Sequence, residues 1–203
     1  MSYFNQHAQN WDSLEKVTMM QHLAQESIAA LGLKKGDKLD LLDFGCGTGL
    51  FSLELADYTK RLIGMDTSEE MLKIFDQKTM GDQQIESIKL DLEEESHEGH
   101  YDLIVSSMTF HHLKRPELVL PKLKAMLKAH GRIVIIDLDQ EDGSFHPENH
   151  QMGVKHFGFT KSDLAIWCQE VGFTLSHQII HQITKHGREY GVFMAIMTLT
   201  ELE

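Results

Sequence analysis

The sequence predicts an α/β fold built on a mostly parallel sheet, and three observations carry the prediction. Short apolar runs of strand type alternate with amphipathic helical stretches through residues 39–138. Such alternation produces parallel strands with helices covering both faces. A glycine-rich turn, Asp43–Gly49, joins the first run to the next helical stretch. Near the C-terminus the pattern changes to two runs of period two joined by a turn, and strands joined so closely must be antiparallel.

The elements follow in order. Residues 13–31 place Leu14, Val17, Met20, Leu23, Ile28 and Leu31 at roughly helical spacing, with Asp12 or Ser13 as the cap and Gly32 as the stop. Leu39–Phe44 is the first strand, and the glycine turn leads into a helix through Leu50–Ala56. Arg61–Met65 is the second strand; Thr67 and Glu70 form a capping-box pair for a helix carrying Met71, Leu72 and Phe75. Ile85–Leu90 and Leu103–Ser107 are strands three and four. Pro116–His130 is a helix stopped by Gly131, and Ile133–Leu138 is a β-branched fifth strand. A Thr160–Asp163 capping box opens a helix over Lys161–Val171 that ends at Gly172. In Phe173–Thr184, Phe173, Leu175, Ile179 and Ile183 share one face; a turn at Lys185–Glu189 returns the chain into Tyr190–Leu199.

Length and composition bound the function. The 203 residues suit one domain over 1–203, without room for a second full core. No apolar run reaches the roughly 18 residues of a membrane span, and the N-terminus lacks the basic and apolar regions of a secretory signal. Cys46 and Cys168 cannot build a disulfide framework, so a reducing cytoplasmic setting is expected. A net charge of −12 repels phosphate backbones and argues against a nucleic-acid partner.

The glycine turn carries the chemistry. A dinucleotide fingerprint would place its third glycine at position 50, which is Leu50; the glycines here are Gly45, Gly47 and Gly49. That spacing speaks against a nicotinamide-dependent oxidoreductase. Asp43 would repel a pyrophosphate but suits a cationic ligand, and Asp66 at the end of the second strand is placed to accept hydrogen bonds from ribose hydroxyls.

With Asp43–Gly49 as D-x-G-x-G-x-G, the acid at Asp66, Asp91 after the third strand and YDLIVSSMTFHHL for the fourth, the chain resembles the class I (Rossmann-like) S-adenosylmethionine (SAM)-dependent methyltransferases. It is most similar to their small-molecule branch, the ubiquinone/menaquinone type. The resemblance implies a three-layer sandwich whose seven-stranded sheet runs 3-2-1-4-5-7-6 with strand 7 antiparallel. It implies SAM as cofactor, S-adenosylhomocysteine as product and a small-molecule methyl acceptor. Gly45 and Gly47 would lie against the methionine part, with Asp43 holding its amino group and Cys46 and Gly49 in the same cofactor-binding turn. Asp66 would bind the ribose, with Thr67, Ser68 and Met71 near ribose and adenine. Asp91 and Leu92 would contact the adenine, and Ser106 and Ser107 would lie beside the sulfonium.

His111 and His112 follow the fourth strand, and either is a candidate general base because imidazole titrates near neutrality. Tyr3, Phe4 and Trp11 resemble a lid within the N-terminal segment 1–31. Residues 139–159, with Phe145, His146 and Phe157, form a long aperiodic insert of the kind that serves a substrate pocket. No metal site is expected. His177 and His181 lie about 13 Å apart along a strand, too far to share an ion. His146 and His150 flank Pro147 and lack a carboxylate partner. A protein that binds SAM as a sensor or regulatory subunit, without transferase activity, would carry the same cofactor motif.

Overall fold

The computed structural model describes residues 2–146, 148–185 and 187–200; Met1, Pro147, His186 and 201–203 lie outside the described residues. In chain order the elements are α1 (Tyr3–His7), α2 (Leu14–Leu31), β1 (Leu39–Phe44), β2 (Thr59–Asp66), α3 (Glu69–Lys78) and β3 (Ile85–Lys89). They continue with β4 (Tyr101–Ser107), α4 (Pro116–Ala125), β5 (Leu127–Leu138), α5 (Lys161–Val171), β6 (Phe173–Lys185) and β7 (Arg188–Leu199). The strands form one seven-stranded sheet in the order β3-β2-β1-β4-β5-β7-β6. Strand β7 runs antiparallel to β5 and to β6, the order and the direction expected from the sequence.

The chain divides into two compact units, Met1–Asp91 and Leu92–Glu203. In the first, β1 and β3 both pair in parallel with β2. Its core is Leu23, Leu41, Leu42, Leu62, Ile63, Met65 and Phe75, all essentially removed from water. Helix α2 ends on Gly32 in the left-handed conformation, and Ser13 rather than Asp12 caps its start, accepting from the Lys16 N–H. In the second unit β4 and β5 pair in parallel. Residues Ile133–Ile136 are all fully buried; a strand covered on both faces reads as an unbroken apolar run.

Four local expectations are corrected. The segment after the glycine turn is a 3-10 stretch, Ser52–Tyr58, rather than an α-helix over 50–56. Ser68, not Thr67, caps α3, accepting from the Met71 N–H. Helix α4 ends at Ala125, and Gly131 lies inside β5. Pro121 is accommodated in the helix's interior and β5 begins two residues after Ala125, so tertiary pairing with β4 overrides the helical pattern. In β6 a bulge between Ile179 and His181 resets the alternation and leaves Ile179 exposed.

Candidate functional site

Each unit carries a candidate group of functional residues, and in both the residues sit where a parallel strand ends. Ligands of open α/β sheets bind at such carboxyl ends.

In the first unit Asp43 is the penultimate residue of β1 and is buried. The chain then turns, and the backbone N–H groups of Gly45 and Cys46 both donate to the Met65 carbonyl, at 2.8 and 3.1 Å. Gly47 has a φ of +54°, and a Cβ there would meet nothing within 4 Å. The backbone is therefore bare toward open space, as close approach by a ligand requires. Gly49 is glycine for another reason: at φ +84° a Cβ would lie 2.7 Å from the Phe75 ring. Cys46 is buried, and its Sγ packs where a side chain on Gly64 would have to go.

Asp66 closes β2 and binds the turn to it. Its Oδ2 accepts the Gly47 N–H and its Oδ1 the Ser68 N–H, each at 2.8 Å. Burial raises its pKa, opposed by these N–H groups and that of Thr67. Burial also pushes Asp43 up to about 7; the Ser52 hydroxyl opposes this and the Asp66 charge adds to it. A buried acid so perturbed is stabilised by a cation placed beside it. Bare backbone at Gly47, Asp43 short of a positive partner and Asp66 at a strand end fit an aminoacyl ligand that also carries a ribose. Met71 is buried on α3, Thr67 is exposed, and Asp91 is half-buried two residues after β3.

The N-terminal segment is pinned to this part. Ser68 Oγ donates to Asn5 Oδ1 at 2.6 Å. Thr48 Oγ1 donates to Asp12 Oδ1 at 2.6 Å, while Lys78 Nζ pairs with Asp12 Oδ2 at 2.6 Å and donates to the Thr48 carbonyl at 2.7 Å. Phe4 meets Trp11 edge to face at 5.6 Å, and Tyr3 stacks on His7 at 4.0 Å. Sequence reasoning missed Asn5, Asp12 and Lys78: their contacts span 30 or more positions and leave no local pattern.

In the second unit Leu92 is buried, and its carbonyl accepts from Lys122 Nζ at 2.6 Å. Ser106 and Ser107 end β4, the first buried and the second half-buried. Met108 follows with a φ of +54°, the one non-glycine residue in the left-handed region among those described. Such strain concentrates at functional sites. A short 3-10 turn, Phe110–His112, then brings His111 against Asp137 of β5. The His111 Nδ1–H donates to Asp137 Oδ1 at 2.6 Å, and the His111 backbone N–H reaches Oδ2 at 3.3 Å. Both side chains are essentially fully buried. Burial raises the Asp137 pKa, but His111 and the Leu138 N–H outweigh it and hold the carboxyl below its ordinary value.

His146, from the insert, brings its Nε2 to 3.3 Å from His111 Nε2, and Phe145 packs edge to face on it at 4.7 Å. Phe145 also packs on Tyr190 at 5.2 Å, whereas Phe157 is exposed. Burial and then the neighbouring His111 push His146 down to about 4 and His112 to about 3. Both rings are therefore neutral near pH 7. The structure thus joins His111, His112, Phe145 and His146 in one cluster, leaves Phe157 outside it, and adds Asp137, which sequence reasoning missed. An acid inside a β-branched strand gives no sign of its partner 26 positions away. Among the described residues no group of three or more His, Cys, Asp or Glu side chains is arranged to hold a metal ion. No helix among them is long and apolar enough to cross a membrane.

Comparison with known proteins sets these parts in a family. Residues 17–178 match a family model described as a methyltransferase domain. An uncharacterized methyltransferase of Schizosaccharomyces pombe is 32% identical over 139 residues, covering 61% of this chain and 49% of that protein. A malonyl-[acyl-carrier protein] O-methyltransferase of Acetivibrio thermocellus is 30% identical over 131 residues, covering 64% and 45%. The chain thus spans about half the length of these curated relatives. Among solved structures, a SAM-dependent methyltransferase from Aquifex aeolicus superposes with a TM-score of 0.68 at 19% identity, covering 94% of this chain and 97% of that one. Magnesium protoporphyrin IX methyltransferase from Synechocystis with bound SAM gives 0.63 at 18%, covering 87% and 78%.

Proposed function

This chain belongs to the methyltransferase-domain family, and from that membership we propose that it transfers the methyl group of SAM to an oxygen, nitrogen or carbon of a small molecule. The observation that carries the reading is the glycine turn: backbone bare at Gly47, between the buried Asp43 and the half-buried Asp66. SAM supplies an electrophilic methyl group on a sulfonium. The chain's own residues bind and orient. Asp43 holds the ammonium of the methionine part. Asp66 exchanges its grip on the turn for the ribose hydroxyls, with Thr67, Ser68, Met71, Asp91 and Leu92 along the nucleoside. Ser106 and Ser107 end β4 beside the reacting centre. Alignment of nucleophile, methyl and sulfur lowers much of the barrier. The N-terminal segment with Tyr3, Phe4 and Trp11, and the insert with Phe145, His146 and Phe157, bound the acceptor. His111 assists when the acceptor must lose a proton; His112 stays neutral and packs. The two cysteines are free and buried, which fits a reducing cytoplasmic setting.

Calorimetry with S-adenosylhomocysteine tests the reading. Binding at micromolar concentration is expected, and Asp66→Ala should weaken it about 10- to 100-fold, the worth of hydrogen bonds to a charged acceptor. Absence of heat at high micromolar ligand would sink the proposal. Binding without transfer of label to any small-molecule extract would favour the sensor reading instead.

A further inference from the structure

We propose that Asp137 and His111 act as a general-base pair, and that the methyl acceptor is therefore a molecule whose nucleophilic atom arrives protonated, a hydroxyl rather than a carboxylate. The inference rests on the methyl-transfer reading above and adds the acceptor's class to it. A carboxylate is already a nucleophile and needs no base; a hydroxyl gains from one by typically 10²- to 10⁴-fold.

The hydrogen bonds determine the tautomer. Asp137 Oδ1 accepts the Leu138 N–H at 2.7 Å as well as the His111 ring at 2.6 Å, and Oδ2 accepts the His111 backbone N–H. A carboxylate held by so many donors is an acceptor only, so the ring proton of His111 lies on Nδ1 and the lone pair on Nε2. His146 agrees from the other side. Its Nδ1 is buried without a partner among the described residues. A lone pair there costs less than an orphaned N–H, so its proton lies on Nε2 and points at His111 Nε2, 3.3 Å away. The structure therefore already places a hydrogen-bond donor on the basic nitrogen of His111. An acceptor hydroxyl that takes the place of His146 presents the same donor. A carboxylate there would set its lone pairs against the lone pair of Nε2, with Asp137 behind it.

The insert's contacts support a site meant to exchange occupants. His111 is held firmly: the Lys155 and His156 backbone N–H groups both donate to its carbonyl, at 2.9 and 3.1 Å. His146 meets it side chain to side chain, through the 3.3 Å contact and a ring contact at 5.2 Å. The charged and titratable groups around the pair are His112 beside His111, His146 on the insert and, acting on His146, Lys185 of β6.

The balance is simple. An oxygen lone pair of the acceptor forms the O–CH3 bond, the C–S bond breaks with its pair to sulfur, and the O–H proton passes to His111 Nε2. The positive charge of the sulfonium moves to an imidazolium that Asp137 stabilises, and the proton leaves later to solvent. His111 is the catalytic residue and Asp137 the positioning residue.

Two measurements test this. In the wild-type protein with S-adenosylhomocysteine bound, nitrogen NMR should show His111 protonated on Nδ1 and bare on Nε2 at neutral pH; a bare Nδ1 overturns the proposal whether or not an acceptor is known. With trideuteromethyl-SAM and a deproteinised small-molecule extract, the labelled product should be an ether that survives mild alkali. His111→Gln should slow its formation about 100-fold with S-adenosylhomocysteine affinity within twofold. Asp137→Asn should lower kcat, not the KM for SAM, and change the tautomer of His111 in the same nitrogen NMR measurement. An alkali-labile ester as the labelled product, or a His111→Gln rate equal to wild type, overturns it. Loss of S-adenosylhomocysteine binding by the wild-type protein would instead refute the methyl-donor reading.

Discussion

Asp43 is held by burial well above the ordinary carboxylate range, and the sign of that shift yields a prediction. Its folded pKa, about 7, lies above the 3.8 of the unfolded chain. The stability linked to its neutral form is full below pH 4 and is lost as pH rises through 7, on the order of 4 kcal/mol in all. A cationic ligand reverses the shift and expels the proton. SAM binding at pH 7 should therefore release about half a proton, measured by calorimetry in buffers of different ionisation heat. Asp43→Asn should abolish the release and be more stable than wild type above pH 7. The turn glycines and the acids at the carboxyl ends of β1 and β2 were legible in the sequence because their placement depends on neighbours in sequence. Asp137 was not, since its meaning comes from His111 across a strand pairing.

At the scale of elements, the insert is closed at its base. Asp139 bridges Phe159 in parallel, and the Asp139 N–H donates to the Gly191 carbonyl at 2.9 Å. Gly158 makes that closure possible: at φ +73° a Cβ would lie 2.2 Å from the Asp139 carbonyl oxygen. Gly158→Ala should cost about 3 kcal/mol through left-handed strain and the backbone clash. Urea unfolding measures the cost, and faster amide exchange over 140–157 should accompany it. Helix α5 keeps its predicted capping box, because Thr160 and Asp163 are three residues apart and satisfy each other. Boundaries set by tertiary pairing escaped prediction. Helix α4 gives way to β5 where β4 offers a partner, and the bulge in β6 has no sequence signal at Ile179.

For the whole molecule, strand order and direction followed from alternation, the terminal hairpin and a resemblance in a few motifs, since topology rules leave few alternatives. Charge is the other global property. With a net charge of −12 the protein should not be retained on heparin at 50 mM salt, read directly from its elution; retention would reveal a basic patch that the balance of charges conceals. The pinned N-terminal segment, finally, bears on time as much as on place. Asn5 and Asp12 grip Ser68 and Thr48, which belong to the same loops that would hold the methyl donor. Exchange of spent donor for fresh then has to wait for several polar contacts to open together. Such contacts would slow the departure of S-adenosylhomocysteine, a step that displacement of bound product measures apart from the chemistry.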